Sequence, residues 1–287
     1  MKLIFTSAIC LLTSYISFAQ LPDCDIWLLD IKDSAGNITF SNTVNITHRK
    51  GYDNQPAFSP DGKYILYSSQ RDSTGQTDIY KYEIATKKIT QFTHTSTSEY
   101  SPTFMPDGKN ISVVMVEKDS AQRLWKFPLT GGEPVCIMKN IDSVGYHSWI
   151  NKDSVAVFIL TKPSFTLQVA DIRSQKTIVI ADSVGRCMRM KDGTLWFTTK
   201  YGHFNNVYEY NLKSKKTLFK GVIESEDYCF YGKSNIWSCS ENTIVSGYMN
   251  SNAGADEIIN FESFGITKIT RITLSPDGKK IAVVSNK

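Results

Sequence analysis

One short turn occurs three times in this chain, and it constrains the fold more than any other feature. It is written FSPDGK from Phe58, FMPDGK from Phe104 and LSPDGK from Leu274. Proline fixes φ for the first central position of a type I turn, and glycine takes the left-handed conformation that closes a three-residue hairpin loop. Each copy therefore predicts a β-hairpin, and the repetition predicts a fold built from one unit.

The first copy indicates what a whole unit contains. Strands are predicted on either side of the turn, over 55–59 and 63–69. An alternating apolar and polar run at 78–84 predicts a third strand, and a fourth is predicted around 89–93. Four antiparallel strands in about 40 residues are typical of one blade of a β-propeller.

The unit recurs at a nearly constant spacing. Successive turn positions are separated by 46, 46, 39, 42 and 43 residues, at Asp61, Asp107, Asp153, Asp192, Ser234 and Asp277. The sequence therefore predicts an all-β, six-bladed propeller of four-stranded antiparallel blades. In the fifth blade a second register is open, in which the inner strand lies at 235–239 and 223–232 is an insertion. The even spacing favours the register with its turn at Ser234.

The last turn lies almost at the end of the chain. Residues 279–287 suffice for a second strand, while DIWLLDI at 25–31 matches the third strand of the unit and 38–48 can supply the fourth. The sixth blade is therefore predicted to combine strands from both termini. Such a blade closes the ring and protects the sheet edges.

The fullest copy of the repeat carries a family resemblance. PAFSPDGKYILYSSQRD at 56–72, followed by DIY at 78–80, resembles the repeat of TolB-like propellers, a WD40-like family of bacterial envelope proteins. It is also similar to propeller domains attached to some serine peptidases. The resemblance covers the propeller part, and is sharp in blades one, two and six. It implies the fold and an envelope setting, while any activity has to be inferred from the residues.

Residues 1–19 have the pattern of a secretory signal peptide, with one basic residue, an apolar run and a small-x-small cleavage site ending at Ala19. Cys10 lacks the preceding small residues of a lipoprotein signal, so release is predicted. No later apolar run approaches the about 18 to 20 residues of a membrane span. We expect residues 20–287 to form a single propeller domain in the periplasm or outside the cell.

The composition and the absence of several sequence motifs exclude some classes of function. Lys2 is the one charged residue of 1–19, so the remainder keeps 31 basic against 28 acidic side chains. Without basic clusters, this balance gives no case for nucleic acid binding. The chain has no G-x-S-x-G, no H-E-x-x-H and no phosphate or dinucleotide loop. We therefore expect a binding module without a cofactor, which contacts a protein or peptide of the envelope through interblade loops such as HRKGYDN and HTSTSEY.

The histidines support an alternative hypothesis. Interblade loops and the loops between second and third strands open on the same face of a propeller, and all four histidines are predicted there: His48, His94, His147 and His203. Imidazoles around a channel mouth could hold a divalent metal, as in a metal-dependent lyase or lactonase. The plainer interpretation is that they cap strands or hydrogen-bond a neighbouring blade.

Further residues on this face are candidates for ligand contacts. Arg71 and Asp72 would either contact an anionic ligand or brace their loop as an ion pair. Four tyrosines are also predicted in loops, at Tyr52, Tyr100, Tyr146 and Tyr201. They would either form a stacking surface for a glycan or pack on neighbouring side chains.

Five cysteines follow residue 19, so at least one has no partner within the chain. Cys229 and Cys239 flank Ser234 symmetrically and are predicted to face each other across the hairpin of blade five. Directly opposed residues lie at the short end of what a disulfide accepts. The alternative is a pair of buried free thiols.

Overall fold

The computed structural model describes residues 21–71, 75–248 and 256–287, so the predicted signal peptide lies outside it. Within these ranges the strands form six four-stranded antiparallel sheets, and no helix is long and apolar enough to cross a membrane. The chain begins with β1, Cys24–Ser34, and β2, Asn37–Asn45. These two strands belong to the last blade.

The next five blades follow one another along the chain. Blade one contains β3 Asp53–Phe58, β4 Tyr64–Ser69, β5 Asp78–Glu83 and β6 Ile89–Gln91. Blade two contains β7 Ser98–Phe104, β8 Asn110–Val116, β9 Gln122–Pro128 and β10 Val135–Cys136. Blade three contains β11 Val144–Trp149, β12 Ser154–Ile159, β13 Thr166–Asp171 and β14 Lys176–Asp182. Blade four contains β15 Val184–Lys191, β16 Thr194–Tyr201, β17 Phe204–Asn211 and β18 Lys216–Ile223. Blade five contains β19 Tyr228–Tyr231, β20 Asn235–Ser240, β21 Thr243–Tyr248 and β22 Asp256–Asn260.

Blade six joins the two ends of the chain, as the position of the last turn predicts. A 3-10 turn, Glu262–Phe264, leads to β23, Lys268–Leu274, and β24, Lys280–Asn286. The strand order of this blade is β23-β24-β1-β2, so β24 pairs with the N-terminal strand β1. The predicted six-bladed all-β fold with a blade shared between the termini is confirmed.

The three PDGK turns have one geometry. The glycine amide donates to the carbonyl three residues earlier, from Gly62 to Ser59 at 2.8 Å, from Gly108 to Met105 at 3.1 Å and from Gly278 to Ser275 at 2.9 Å. The φ angles of these glycines are 69°, 65° and 69°, in the left-handed region that glycine adopts without strain. The turn chemistry read from the sequence is therefore the chemistry that forms the hairpins.

The core is divided among the blade interfaces. In the described part of the chain, each of the six pairs of neighbouring blades shares one cluster of buried apolar residues. The second strand of each blade serves two clusters, because its side chains alternate between faces. In β4, Ile65 and Tyr67 pack toward blade six and Leu66 packs toward blade two. Every blade is thus fixed on both sides.

Blade five confirms the favoured register and corrects the cysteine pairing. Tyr231 pairs with Asn235, so the hairpin is centred on Lys233, one residue before the expected centre. Cys229 therefore lies opposite Trp237, and Cys239 lies two residues further along. The predicted direct opposition of the two cysteines is wrong. Diagonal neighbours have Cα atoms about 7–8 Å apart, beyond the usual span of a disulfide, and both thiols are free.

Candidate binding site on the propeller axis

A cavity of about 430 Å³ lies where the inner strands of the blades meet. It is lined by β3, β7, β11, β15 and β23, the inner strands of five blades, and by Asp227 at the start of the sixth inner strand. Since the inner strands surround the axis of a propeller, this cavity is the central channel. Each blade contributes to it.

One position of the repeat forms a ring around this channel. It lies six residues before the turn position and is occupied by Gln55, Ser101, His147, Arg186 and Arg271, and by Asp227 in blade five, where the turn is centred on Lys233. Gln55 and Ser101 have φ angles of 59° and 55°, and the pairing of their strands shifts register beside them. Such bulges re-aim side chains. The Gln55 side chain accepts a hydrogen bond of 2.8 Å from the Ser101 amide, which links blades one and two at the channel wall.

Asp227 holds two of the arginines that line the channel. Its carboxylate lies 3.5 Å from Arg271 Nη1 and 4.0 Å from Arg189 Nη2. It also accepts a hydrogen bond of 3.1 Å from the amide of Ile272. The Asp227 side chain is 3 % exposed, so these partners replace the water that a carboxylate otherwise needs.

Arg186 lies on the same wall with its own acidic neighbour. Its Nη2 donates to the Thr270 carbonyl at 2.7 Å, and its Nε lies 3.4 Å from Glu226. Lys200 approaches the same carboxylate at 2.8 Å. Burial alone would raise the pKa of Glu226, but Arg186 and Lys200 outweigh it and hold the pKa below its ordinary value. Glu226 therefore carries its full negative charge at neutral pH.

Three of the four tyrosines predicted on this face come together. Tyr52 and Tyr100 pack edge to face, with ring centroids 6.4 Å apart. Tyr146 lines the cavity, and its hydroxyl accepts a hydrogen bond of 3.0 Å from Arg271, whose guanidinium lies 5.0 Å from the ring centroid. Burial raises the pKa of Tyr52. Tyr201 is separate, at the end of β16, with 67 % of its surface exposed.

Arg71 is held inside blade one. Its Nη2 donates to the Tyr67 hydroxyl at 2.9 Å and its Nε donates to Ser69 Oγ at 3.0 Å, while the guanidinium lies 4.5 Å from the centroid of Tyr80. These contacts lie within blade one, and the ion pair that the sequence suggested stays a prediction. The predicted partner, Asp72, lies outside the described residues.

The structure does not bring the four histidines together. His147 is buried in β11, bonded through Nε2 to Ser112 Oγ at 2.7 Å, and burial lowers its pKa to about 3. His48, His94 and His203 are exposed in separate loops. Among the described residues, no group of three or more His, Cys, Asp or Glu side chains could hold a metal. The four histidines, all within the described part of the chain, therefore do not form the metal site of the alternative hypothesis.

The arginines are the part of this site that the sequence interpretation missed. Arg186 and Arg271 stand at the repeat position that also carries Gln55 and Ser101. Counting six residues back from each turn position would have grouped them. Arg189 could not have been found in this way, because it points into the channel from a different position of β15.

Comparison with known proteins supports the fold and little more. No family model matches the chain. The Tol-Pal system protein TolB from two strains of Francisella tularensis subsp. holarctica is 43 % identical over 79 residues. The match covers 28 % of this chain and 17 % of each TolB, so less than a fifth of these relatives is represented.

Solved structures match over most of the chain. A TolB candidate from Agrobacterium tumefaciens has a TM-score of 0.69 at 14 % identity and covers 93 % of this chain and 99 % of its own. TolB from Acinetobacter baumannii has a TM-score of 0.52 at 14 % identity, covering 67 % and 50 %. An oligogalacturonate lyase in complex with manganese has a TM-score of 0.55 at 11 % identity, covering 88 % and 83 %. Such identities establish the fold alone. The chain is a six-bladed β-propeller of the TolB-like fold, as its turn repeat predicts.

Proposed function

We propose that this protein is a binding module of the bacterial cell envelope that takes a protein or peptide partner at the interblade-loop end of its channel. The observation that carries the proposal is the axial cavity, which presents arginines, a tyrosine and apolar side chains on inner strands that the core fixes in place. Rigid walls with a few convergent polar groups are typical of binding sites.

The relatives support a protein partner. The two curated proteins are named as Tol-Pal system proteins, and the structure neighbours include TolB propellers. In this chain the interblade segments differ from blade to blade, from HRKGYDN to HTSTSEY. Variable loops on a constant ring allow selective recognition without changing the scaffold.

We place the protein in the periplasm or outside the cell. The support is the pattern of residues 1–19, which is typical of a secretory signal peptide without a lipid-attachment cysteine. The TolB-like fold is consistent with this placement.

The alternatives have weaker support. A lyase with this fold and bound manganese exists among the solved structures, but the histidines that suggested a metal here lie apart. A glycan platform would need exposed aromatic faces in one place. Tyr52 is buried and Tyr201 lies away from the other tyrosines, so the set does not form one surface.

Photo-crosslinking in the native envelope tests the proposal. A benzophenone amino acid would replace Lys50, which is exposed in the loop before β3, or Lys87, which is exposed in the turn between β5 and β6 at the opposite end of blade one. We expect a specific protein adduct from position 50 and none from position 87. Adducts from position 87 alone, or none from either, would overturn the proposal.

A further inference from the structure

The arginines give the axial cavity an excess of positive charge. Arg186, Arg189 and Arg271 line it, and Asp227 is the one acidic residue among the lining residues that the structure describes. Glu226 also pairs with Arg186, so these three positive charges face two negative ones. Charges in a partly water-excluded cavity interact more strongly than charges on an open surface. An anionic group would therefore be favoured there, and a cation would be repelled.

The two arginines of the ring have hydrogen-bonding capacity that the protein does not use. In both Arg186 and Arg271 the Nε atom is buried and makes no hydrogen bond among the described residues, although the Arg186 Nε lies 3.4 Å from the Glu226 carboxylate. Each guanidinium makes one hydrogen bond, to the Thr270 carbonyl or to the Tyr146 hydroxyl. A guanidinium has more donors than this, arranged as a planar fork.

These two guanidinium groups belong to one site. They occupy the same position of the repeat in blades four and six, and Arg186 bonds to the residue directly before Arg271. Two planar forks that line one cavity suit a carboxylate, which can accept two hydrogen bonds from one arginine.

The rest of the cavity favours a carboxylate carried by a peptide. Toward the hairpin turns the walls become apolar, at Phe58, Phe104 and Leu274. The volume of about 430 Å³ is larger than a small inorganic anion needs and falls within the usual range for ligand pockets. An extended segment could place an acidic side chain on the arginines and an apolar neighbour against these walls.

We propose that Arg186 and Arg271 bind an aspartate or glutamate side chain within an extended segment of the partner, inserted into the axial cavity. This inference rests on the proposed function, since it names the chemistry of the partner at the same site. Arg189, which Asp227 and two carbonyls hold, completes the positive wall.

The test uses a defined peptide, amidated at its C-terminus, of sequence Ser-Gly-Leu-Glu-Gly-Ser, and the same peptide with glutamine in place of glutamate. Binding is followed through the Nε–H resonances of arginine in the ¹⁵N-labelled protein. We expect the glutamate peptide to shift the signals of Arg186 and Arg271 and the glutamine peptide to leave them in place. Arg186→Gln should weaken binding by about tenfold or more, the cost of a charge-assisted hydrogen bond.

Arg173→Gln is the matched control. Arg173 lies in an outer turn, 67 % exposed and paired with Asp153, and its replacement changes the net charge equally. Wild-type affinity is expected for this variant. Arg271→Gln removes one of the partners of the buried Asp227 carboxylate and could therefore weaken the fold. For this reason Arg271→Lys is measured beside it. Circular dichroism first checks that each variant is folded. Lysine keeps the charge but lacks the fork, so weaker binding is also expected for Arg271→Lys.

The outcomes separate this inference from the proposed function. Equal affinity of both peptides, or no effect of Arg186→Gln, overturns the inference even if the crosslinking finds a partner. Inorganic phosphate that binds more tightly than the glutamate peptide also overturns it, because the site would then prefer free anions. Arginine-dependent peptide binding supports it even if crosslinking at position 50 fails, and in that case the proposed loop contact is wrong.

Discussion

Glu99 is a fully buried carboxyl group in β7, at the repeat position that Asp53 occupies in β3. The hydroxyls of Thr93, Thr95 and Thr97 donate to it. Burial raises the pKa of Glu99 to about 7 in spite of these hydrogen bonds. The folded protein therefore holds this carboxyl largely protonated in mildly acidic solution, while the unfolded chain releases the proton.

Glu99→Gln should reduce the decrease in unfolding free energy that the wild type shows as the pH rises from 5 to 8. Because the pKa is raised on folding, the stabilising contribution of protonated Glu99 is complete below the unfolded pKa and is lost as the pH rises through about 7. The difference between wild type and variant should reach at most about 3 kcal/mol in the free energy of unfolding. Urea unfolding of both proteins at the two pH values measures it.

The pKa shift of His147 has the opposite effect on stability, because it makes the fold less stable as the pH falls. Burial lowers its pKa to about 3, so the unfolded chain gains a proton there first as the pH falls, and acid destabilises the fold. Both proteins contain His147, so its contribution cancels in the difference. Identical pH dependence in wild type and Glu99→Gln would refute the role given to Glu99.

Asp53 should matter more to folding than Arg71, the residue that the sequence suggested as a ligand contact. The Asp53 side chain is fully buried, accepts a hydrogen bond of 2.6 Å from Ser69 and pairs with Arg49 at 2.9 Å. Arg71 is 27 % exposed and reaches Asp53 only at 4.0 Å. We expect Asp53→Asn to cost about 3 kcal/mol of unfolding free energy and Arg71→Gln about 1 kcal/mol or less. Urea titrations compare the two, and an equal cost would contradict this ranking.

Among the elements, β24 should be indispensable. It pairs with β1 from Cys24↔Asn286 to Asp30↔Lys280 and with β23 on its other side. Its residues pack into two of the blade interfaces. Removing residues 280–287 should therefore open the ring and leave an unfolded or aggregating chain, as measured by circular dichroism and gel filtration.

A circular permutant is the control for that deletion. The chain ends of the domain are adjacent, since the Lys287 amide donates to the Asp23 carbonyl at 3.0 Å. A short linker between them, with new termini in the turn at 130–132, keeps every strand and should give a folded protein. A folded deletion variant, or an unfolded permutant, would argue against closure by β24.

The elements show which features can be predicted from sequence. Proline and glycine fix backbone angles locally, so the turns at Gly62, Gly108 and Gly278 and the blade count could be predicted. The pairing of Cys229 could not, because a shift of one residue in the turn centre moves each partner by two. A hairpin turn without the PDGK signature does not fix its centre that closely.

Side-chain direction explains why the candidate site was only half predicted. The face that carries Tyr52, Tyr100 and Tyr146 follows from the order of strands and loops. Whether a loop residue points to the axis depends on bulges such as that at Gln55, whose left-handed backbone has no strong sequence signal. The arginines and the dispersal of the histidines therefore required coordinates.

For the whole molecule, the divided core is the main consequence of the fold. Each described blade interface has its own apolar cluster, and the second strand of each blade contributes to two of them. We therefore expect the protein to recognise its partner through a rigid surface. The loops and channel residues of this surface differ from blade to blade, and the backbone should move little on binding.

Hydrogen exchange of the protein with and without its crosslinked partner tests the central claim most directly. We predict slower exchange in the interblade segments at 46–52, 92–97 and 224–227 and in the first residues of the inner strands when the partner is present. The hairpin turns at 59–63 and 105–109 should exchange at the same rate in both samples. Protection confined to those turns or to the outer strands β14 and β18 would contradict binding at the interblade-loop end of the channel.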